Sequence, residues 1–261
     1  MKIAITGKGG VGKTTLSSIL ACLYAEDGRK VIAVDADPDA NLASALGVPA
    51  DEAAKIRPIA DMSDLIEERT GAKPGGRGGI YKLNPKVDDL PEGIGYRLDG
   101  IILLTMGKLK AAASGCYCPE NVLLRSILKY LMVGRTEVVI VDMEAGIEHL
   151  TRGTAESVDA FIVVVEPGQR SLQTANTVFA MARQLGVRKV FIAANKIRGQ
   201  GDLDFIRSNL GREELTGAIS FNNAIVEADM QGAAPFASSP RTVEEVREIK
   251  ARIEKSLKAV K

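Results

Sequence analysis

Residues 7–15 read GKGGVGKTT, set between a short apolar run, KIAIT (2–6), and a segment of helical spacing over roughly 13–27. The pattern G-x-x-x-x-G-K-[ST] between a strand and a helix constrains the chain strongly. It demands a tight turn whose backbone N–H groups converge on one anion. Gly9, Gly10 and Gly12 let the backbone approach phosphate oxygens, and the start of the helix adds partial positive charge. Lys13 brings a full charge to the β- and γ-phosphates, and the hydroxyl of Thr14 is placed for Mg²⁺. Gly9, Gly10, Val11, Gly12, Lys13, Thr14 and Thr15 are therefore the candidate nucleotide contacts, with ATP or ADP and Mg²⁺ as the expected ligands.

The rest of the chain repeats the same alternation. VIAVD (31–35), IILLT (101–105), VVIVD (138–142), FIVVVE (161–166) and VFIAAN (190–195) are short, mostly β-branched runs. Between and after them, 119–133, 171–185 and 241–260 have helical spacing. Gly28 is placed to close the first helix, since a glycine takes the left-handed cap without steric cost. The expected fold is α/β in three layers, a mostly parallel twisted sheet with helices on both faces. One domain over 1–261 is expected, with an excursion at about 48–98 whose KPGGRGG (73–79) must be a loop. In the last segment, Val243, Val246, Ile253, Leu257 and Val260 form a stripe among charges of both signs. That suits a helix docked on the sheet better than one lying on a membrane.

Composition narrows the partners. The 261 residues carry 34 Lys plus Arg against 33 Asp plus Glu, which argues against binding nucleic acid or an anionic membrane through bulk charge. Five Tyr, six Phe and no Trp make a poor base-stacking platform. The N-terminus lacks the basic start and long apolar stretch of a signal peptide, and no apolar run is long enough to span a bilayer. The expectation is a cytoplasmic protein.

Lys8, directly after the first glycine of GKGGVGKT, makes the loop resemble the deviant Walker A ATPases. That family includes the nitrogenase iron protein, MinD- and ParA-like positioning ATPases, arsenite-pump ATPases and metal-cluster maturation factors. The resemblance implies a homodimer that sandwiches ATP, with Lys8 supplied in trans like an arginine finger, where roughly 10³–10⁵ in rate is at stake. It also makes VIAVDADPDANL (31–42) a switch, with Asp37 matching the aspartate that positions the attacking water. A free carboxylate of pKa about 4 is a poor base at neutral pH, so orienting water is the safer role. Asp35 and Asp39 flank it as helix caps or Mg²⁺ partners. VVIVDMEAG (138–146) resembles a Walker B strand whose Asp142 holds a Mg²⁺-bound water. Asn195, before Lys196, matches the residue that meets the adenine, and its amide offers a donor and an acceptor to a purine edge.

Cys116 and Cys118 form C-Y-C ahead of Pro119, expected at the first position of a helix. Thiolates there gain from the helix dipole, which favours metal binding. Two sulfurs cannot complete a four-ligand site, whereas a two-fold dimer brings the same loop in twice. The expected site is one Ni²⁺ or Zn²⁺ at the dimer interface, held by Cys116 and Cys118 of each subunit in a loop at about 106–119. Cys22, within LSSILACLY, reads as an ordinary core residue.

GCYCPENVLLR together with DMEAGIEHLTRGTA (142–155) resembles the CooC-type ATPases, which support nickel insertion into carbon monoxide dehydrogenase. The resemblance implies a slow ATPase and metallochaperone with that client, or with acetyl-CoA synthase. Seven residues beyond Asp142, where the nitrogenase iron protein places a cluster cysteine, stands His149, the only histidine. Its expected role is a neutral imidazole hydrogen-bonded in the second switch; a transient nickel ligand and a pH-sensitive contact are the alternatives. An iron–sulfur carrier and a ParA- or MinD-like positioning protein are the competing functions. The leading reading needs no nucleic acid and no stable membrane association.

Overall fold

The computed structural model describes residues 1–74, 82–107, 118–145, 152–187, 189–210 and 214–259. Cys116, His149 and Val260, most of the C-x-C loop and residues 75–79 of the glycine-rich turn lie outside them.

In chain order, β1 (Lys2–Gly7) leads through the glycine-rich loop into α1 (Lys13–Glu26), and β2 (Val31–Ala36) follows. The excursion holds the short helices α2 (Leu42–Ala45), α3 (Ala50–Ala53), α4 (Ser63–Thr70) and α5 (Leu90–Ile94), then β3 (Tyr96–Leu98). The rhythm resumes with β4 (Ile101–Thr105), α6 (Pro119–Gly134), β5 (Val138–Met143), α7 (Arg152–Ala155), β6 (Ala160–Val165) and α8 (Gln169–Gln184). It closes with β7 (Val190–Ile197), α9 (Gln200–Asn209), β8 (Glu214–Ser220), α10 (Asn223–Gln231), α11 (Pro235–Ser238) and α12 (Pro240–Lys258).

Among the described residues the strands form one eight-stranded sheet in the order β3-β4-β2-β5-β1-β6-β7-β8, parallel throughout except for β3 against β4. Alternation along each strand feeds two cores. Phe161, Val163 and Val165 of β6 face one side with Leu123 and Ile127 of α6 and Leu172 and Val178 of α8. Ala160, Ile162 and Val164 face the other, against Leu16, Ile19 and Leu20 of α1 and Val246, Ile249 and Ile253 of α12. The three-layer expectation holds. Burial on both faces is why these strands read as continuous apolar runs.

Two strands escape a reading by pattern. β3 spans three residues, and β8 carries Gly217 at its centre, which weakens a strand signal. Gly217 has a packing reason. A Cβ there would sit 2.5 Å from Ile249 Cγ1, so the glycine lets α12 lie close on β8. The apolar stripe of α12 is consumed by this docking, and no described helix is long and apolar enough to cross a membrane. Gly28 adopts φ 73° and donates its N–H to Ala25 at 2.9 Å, ending α1 as expected.

Candidate functional site

The parallel strands all deliver their C-terminal ends to one edge, where the loop after β1 lines a cavity of about 630 Å³. Gly9, Gly10, Gly12, Lys13, Thr14 and Thr15 form its floor. Asp37, Asp39 and Asn41 form one wall, and Asn195, Phe221, Ile225 and Val226 another. The loop's shape needs its glycines. Gly10 and Gly12 adopt φ 77° and 95°, where a side chain is strained. At Gly12 a Cβ would also collide with Asn195 Nδ2.

That crowding comes from a bridge. Asn195 Nδ2 donates to Val11 O at 2.7 Å, tying β7 to the loop, while its Oδ1 accepts the Lys196 N–H at 2.8 Å. The amide keeps a second N–H and a second lone pair. Val11 turns its fully buried side chain into the core and meets the site through its backbone. The pairing of β7 with β8 slips between Ala194 and Ile197, at the two residues that contact the loop.

The charged groups sit at the ends of three neighbouring strands. Asp35 and Asp142 are register partners on β2 and β5, each 1% exposed. Thr14 Oγ1 lies 2.7 Å from Asp142 Oδ2, and the Ser17 hydroxyl lies 3.0 Å from Oδ1. Asp35 accepts the N–H groups of Asp37 at 3.2 Å and of Leu42, the first residue of α2, at 2.9 Å, while Asn41 holds the N-cap position itself. Lys13 is buried and faces Asp37 Oδ2 at 3.7 Å. Burial pushes the Asp35 carboxyl up to about 7, with Asp142 and Asp37 adding repulsion. Burial likewise raises Asp142 to about 6, against the hydroxyls of Thr14 and Ser17 and the charge of Lys13. The Asp142 carboxylate beside the Thr14 hydroxyl is a donor pair that fits a hard divalent cation, whose charge would favour the ionised carboxylate.

Lys8 stands at the margin of the cavity, with Nζ 3.4 Å from Glu166 Oε1. Lys196 Nζ donates to Glu166 Oε2 at 3.0 Å and to Gly10 O at 2.6 Å. Burial works against the Glu166 carboxylate, but Lys196 and Lys8 outweigh it and hold its pKa below the ordinary value. Sequence reasoning missed Glu166, Ser17 and the apolar wall of Phe221, Ile225 and Val226. A charged residue directly after the fully buried strand β6 was the available sign of the first.

Cys118 stands at the N-cap position of α6, and Pro119 takes its first position, as foreseen for the proline. Cys22 packs beside the second core, and burial, with Glu26 and Asp99, pushes its thiol up to about 11. Burial thus disfavours the thiolate, the form that binds metal. The described residues contain no cluster of three or more metal-ligating side chains.

A glycine-lined anion cradle at the edge of a doubly wound sheet defines a nucleotide-binding protein. The chain belongs to the CobQ/CobB/MinD/ParA nucleotide-binding family, whose model matches residues 2–236. Within that breadth it is 48% identical to the carbon monoxide dehydrogenase accessory protein CooC of Rhodospirillum rubrum, over 92% of this chain and 91% of that one. It is 44% identical to an uncharacterised ATP-binding protein of Methanocaldococcus jannaschii, over 95% and 96%. The septum site-determining protein MinD of Pyrococcus horikoshii, solved with Mg-ADP, matches the fold with a TM-score of 0.67 at 18% identity, over 97% and 96%. The resemblance to CooC-type ATPases, drawn from the motifs, is borne out.

Proposed function

We propose that the chain is a dimeric, nucleotide-dependent ATPase that carries nickel or zinc on Cys116 and Cys118 and promotes nickel insertion into carbon monoxide dehydrogenase. The observation that carries this reading is the likeness, over nearly the whole chain, to an accessory protein of that enzyme. The assembled cradle supports its nucleotide half.

In this mechanism Lys13 leaves Asp37 for the β- and γ-phosphates of ATP, which frees the Asp37 carboxylate to orient the attacking water. The N–H groups of Gly9 to Thr15 and the N-terminus of α1 hold the phosphates, and Asn195 and Phe221, which line the same cavity, meet the base. Mg²⁺, when bound, would neutralise phosphate charge; Thr14 would hold it, and Asp142 would hold a water bound to it. Lys8 crosses to the nucleotide of the partner, so ATP favours the closed dimer. β4 lies beside β2 in the sheet, and Met106, just past its end, donates its N–H to Asp35 O at 2.8 Å. Movement of the Asp37 switch is thereby passed to the segment that leads into the C-x-C loop. Closing the dimer gathers four sulfurs, and opening it after hydrolysis releases the metal.

Reconstitution tests this function. Nickel-free carbon monoxide dehydrogenase, limiting Ni²⁺, ATP and the chain should yield active enzyme, and Lys13→Ala or Cys116→Ser should each abolish the gain. Equal activation without the chain or without ATP would refute it, and activation of acetyl-CoA synthase alone would reassign the client.

A further inference from the structure

The contact between Lys8 and Glu166 carries a consequence for how the trans lysine is kept. Glu166 directly follows β6, and its two oxygens are divided between two lysines, Lys8 at 3.4 Å and Lys196 at 3.0 Å. Lys196 is itself fixed. It is one of two non-glycine residues of positive φ among those described, at 58°, a conformation that persists only where its surroundings over-determine it. Here they do so from three sides. The β7–β8 irregularity turns the backbone, Asn195 Oδ1 takes the Lys196 N–H at 2.8 Å, and Gly10 O takes its ammonium at 2.6 Å. The Glu166 carboxylate is therefore an anion tied through Lys196 to the phosphate loop. Lys8, with a side chain 37% exposed, reaches its other oxygen.

We infer that Glu166 is a positioning residue for Lys8, holding the ammonium against its own chain until the nucleotide of a second subunit competes for it. The inference rests on the reading of Lys8 as a charge supplied across the dimer. Holding Lys8 back lowers the fraction of subunits competent to close, which weakens the apparent affinity of association by that fraction. A half-exposed ion pair changes such an equilibrium only about threefold. Each dimer must release two of them, so the combined effect is about tenfold on the dissociation constant.

The test is sedimentation of the full chain with a non-hydrolysable ATP analogue, comparing wild type with Glu166→Gln, Glu166→Asp, Lys8→Ala and the Lys8→Ala/Glu166→Gln double variant. Glu166→Gln should dimerise about tenfold more tightly. Glu166→Asp, which keeps the charge, should return towards wild type, and the double variant should match Lys8→Ala. Unchanged or weaker dimerisation of Glu166→Gln, with Lys8→Ala impaired, would overturn this inference and leave the trans reading standing. So would a Glu166→Gln effect that persists without Lys8. Wild-type dimerisation of Lys8→Ala would instead remove the trans reading itself. A measurement on the unaltered protein guards against a variant that does not fold. Reductive methylation of the nucleotide-free chain, read by mass spectrometry, should speed up severalfold at Lys8 relative to exposed Lys30 when salt is raised to about 1 M, where screening reaches ion-pair distances. A salt-independent ratio would contradict the pairing.

Discussion

At the scale of single residues, the site is defined as much by what cannot be added as by what is present. Gly12 is the sharpest case. Its φ of 95° disfavours any side chain, and Asn195 Nδ2 occupies the place of a Cβ. Gly12→Ala should therefore break the Asn195–Val11 bridge and reshape the cradle, lowering ATP affinity by at least about tenfold, equivalent to roughly 1.4 kcal/mol. Fluorescent-nucleotide titration would measure this, and unchanged affinity would show that the bridge is dispensable. Gly10 lacks such a neighbour, so only its dihedral angle resists substitution. The buried carboxylates Asp35 and Asp142 make the complementary point. Both are held above the ordinary carboxylate range by burial, and at Asp142 the charge of Lys13 offsets part of that cost.

At the scale of elements, α12 shows how the sheet protects its far edge. Ile249 is 1% exposed and meets the bare backbone of Gly217, where no side chain intervenes. Ile249→Ala should cost about 2–5 kcal/mol, because the gap beside a glycine cannot be refilled by a neighbouring side chain. A urea denaturation series would test it, and a loss below about 1 kcal/mol would mean that α12 resettles on β8. The same contact explains why one strand was hidden. GAIS within β8 lacks the unbroken β-branched run of VVIVD or FIVVV, since its partner helix requires a glycine there. The central strands could be read because both faces are buried, leaving no polar position to interrupt the pattern. Motif residues were likewise readable because phosphate binding fixes residue type and spacing together. Lys196, Asn195 and Gly10 show the limit. Their link to Glu166 depends on a slip in strand register, and sequence spacing does not encode that slip.

At the scale of the whole molecule, the sheet order places β2, β5, β1 and β6 side by side, so Asp35, Asp142, the phosphate loop and Glu166 share one edge. A net charge of +1 supplies no long-range attraction for polyanions, which leaves recognition to this local cluster. Beside β2, β4 ends at the same edge, at Thr105, ahead of the segment that holds Cys116 and Cys118 in the sequence. The central claim is that nucleotide state sets metal affinity through that connection. Its most direct test is an anaerobic titration of Ni²⁺ and Zn²⁺ into wild type and the Cys116→Ser/Cys118→Ser variant, with no nucleotide, ADP or a non-hydrolysable ATP analogue, while light scattering follows mass. The account predicts one metal per dimer, lost in the variant, with an affinity that differs between ADP and the ATP analogue. Equal affinity in all three states, or binding that survives loss of both cysteines, would contradict it.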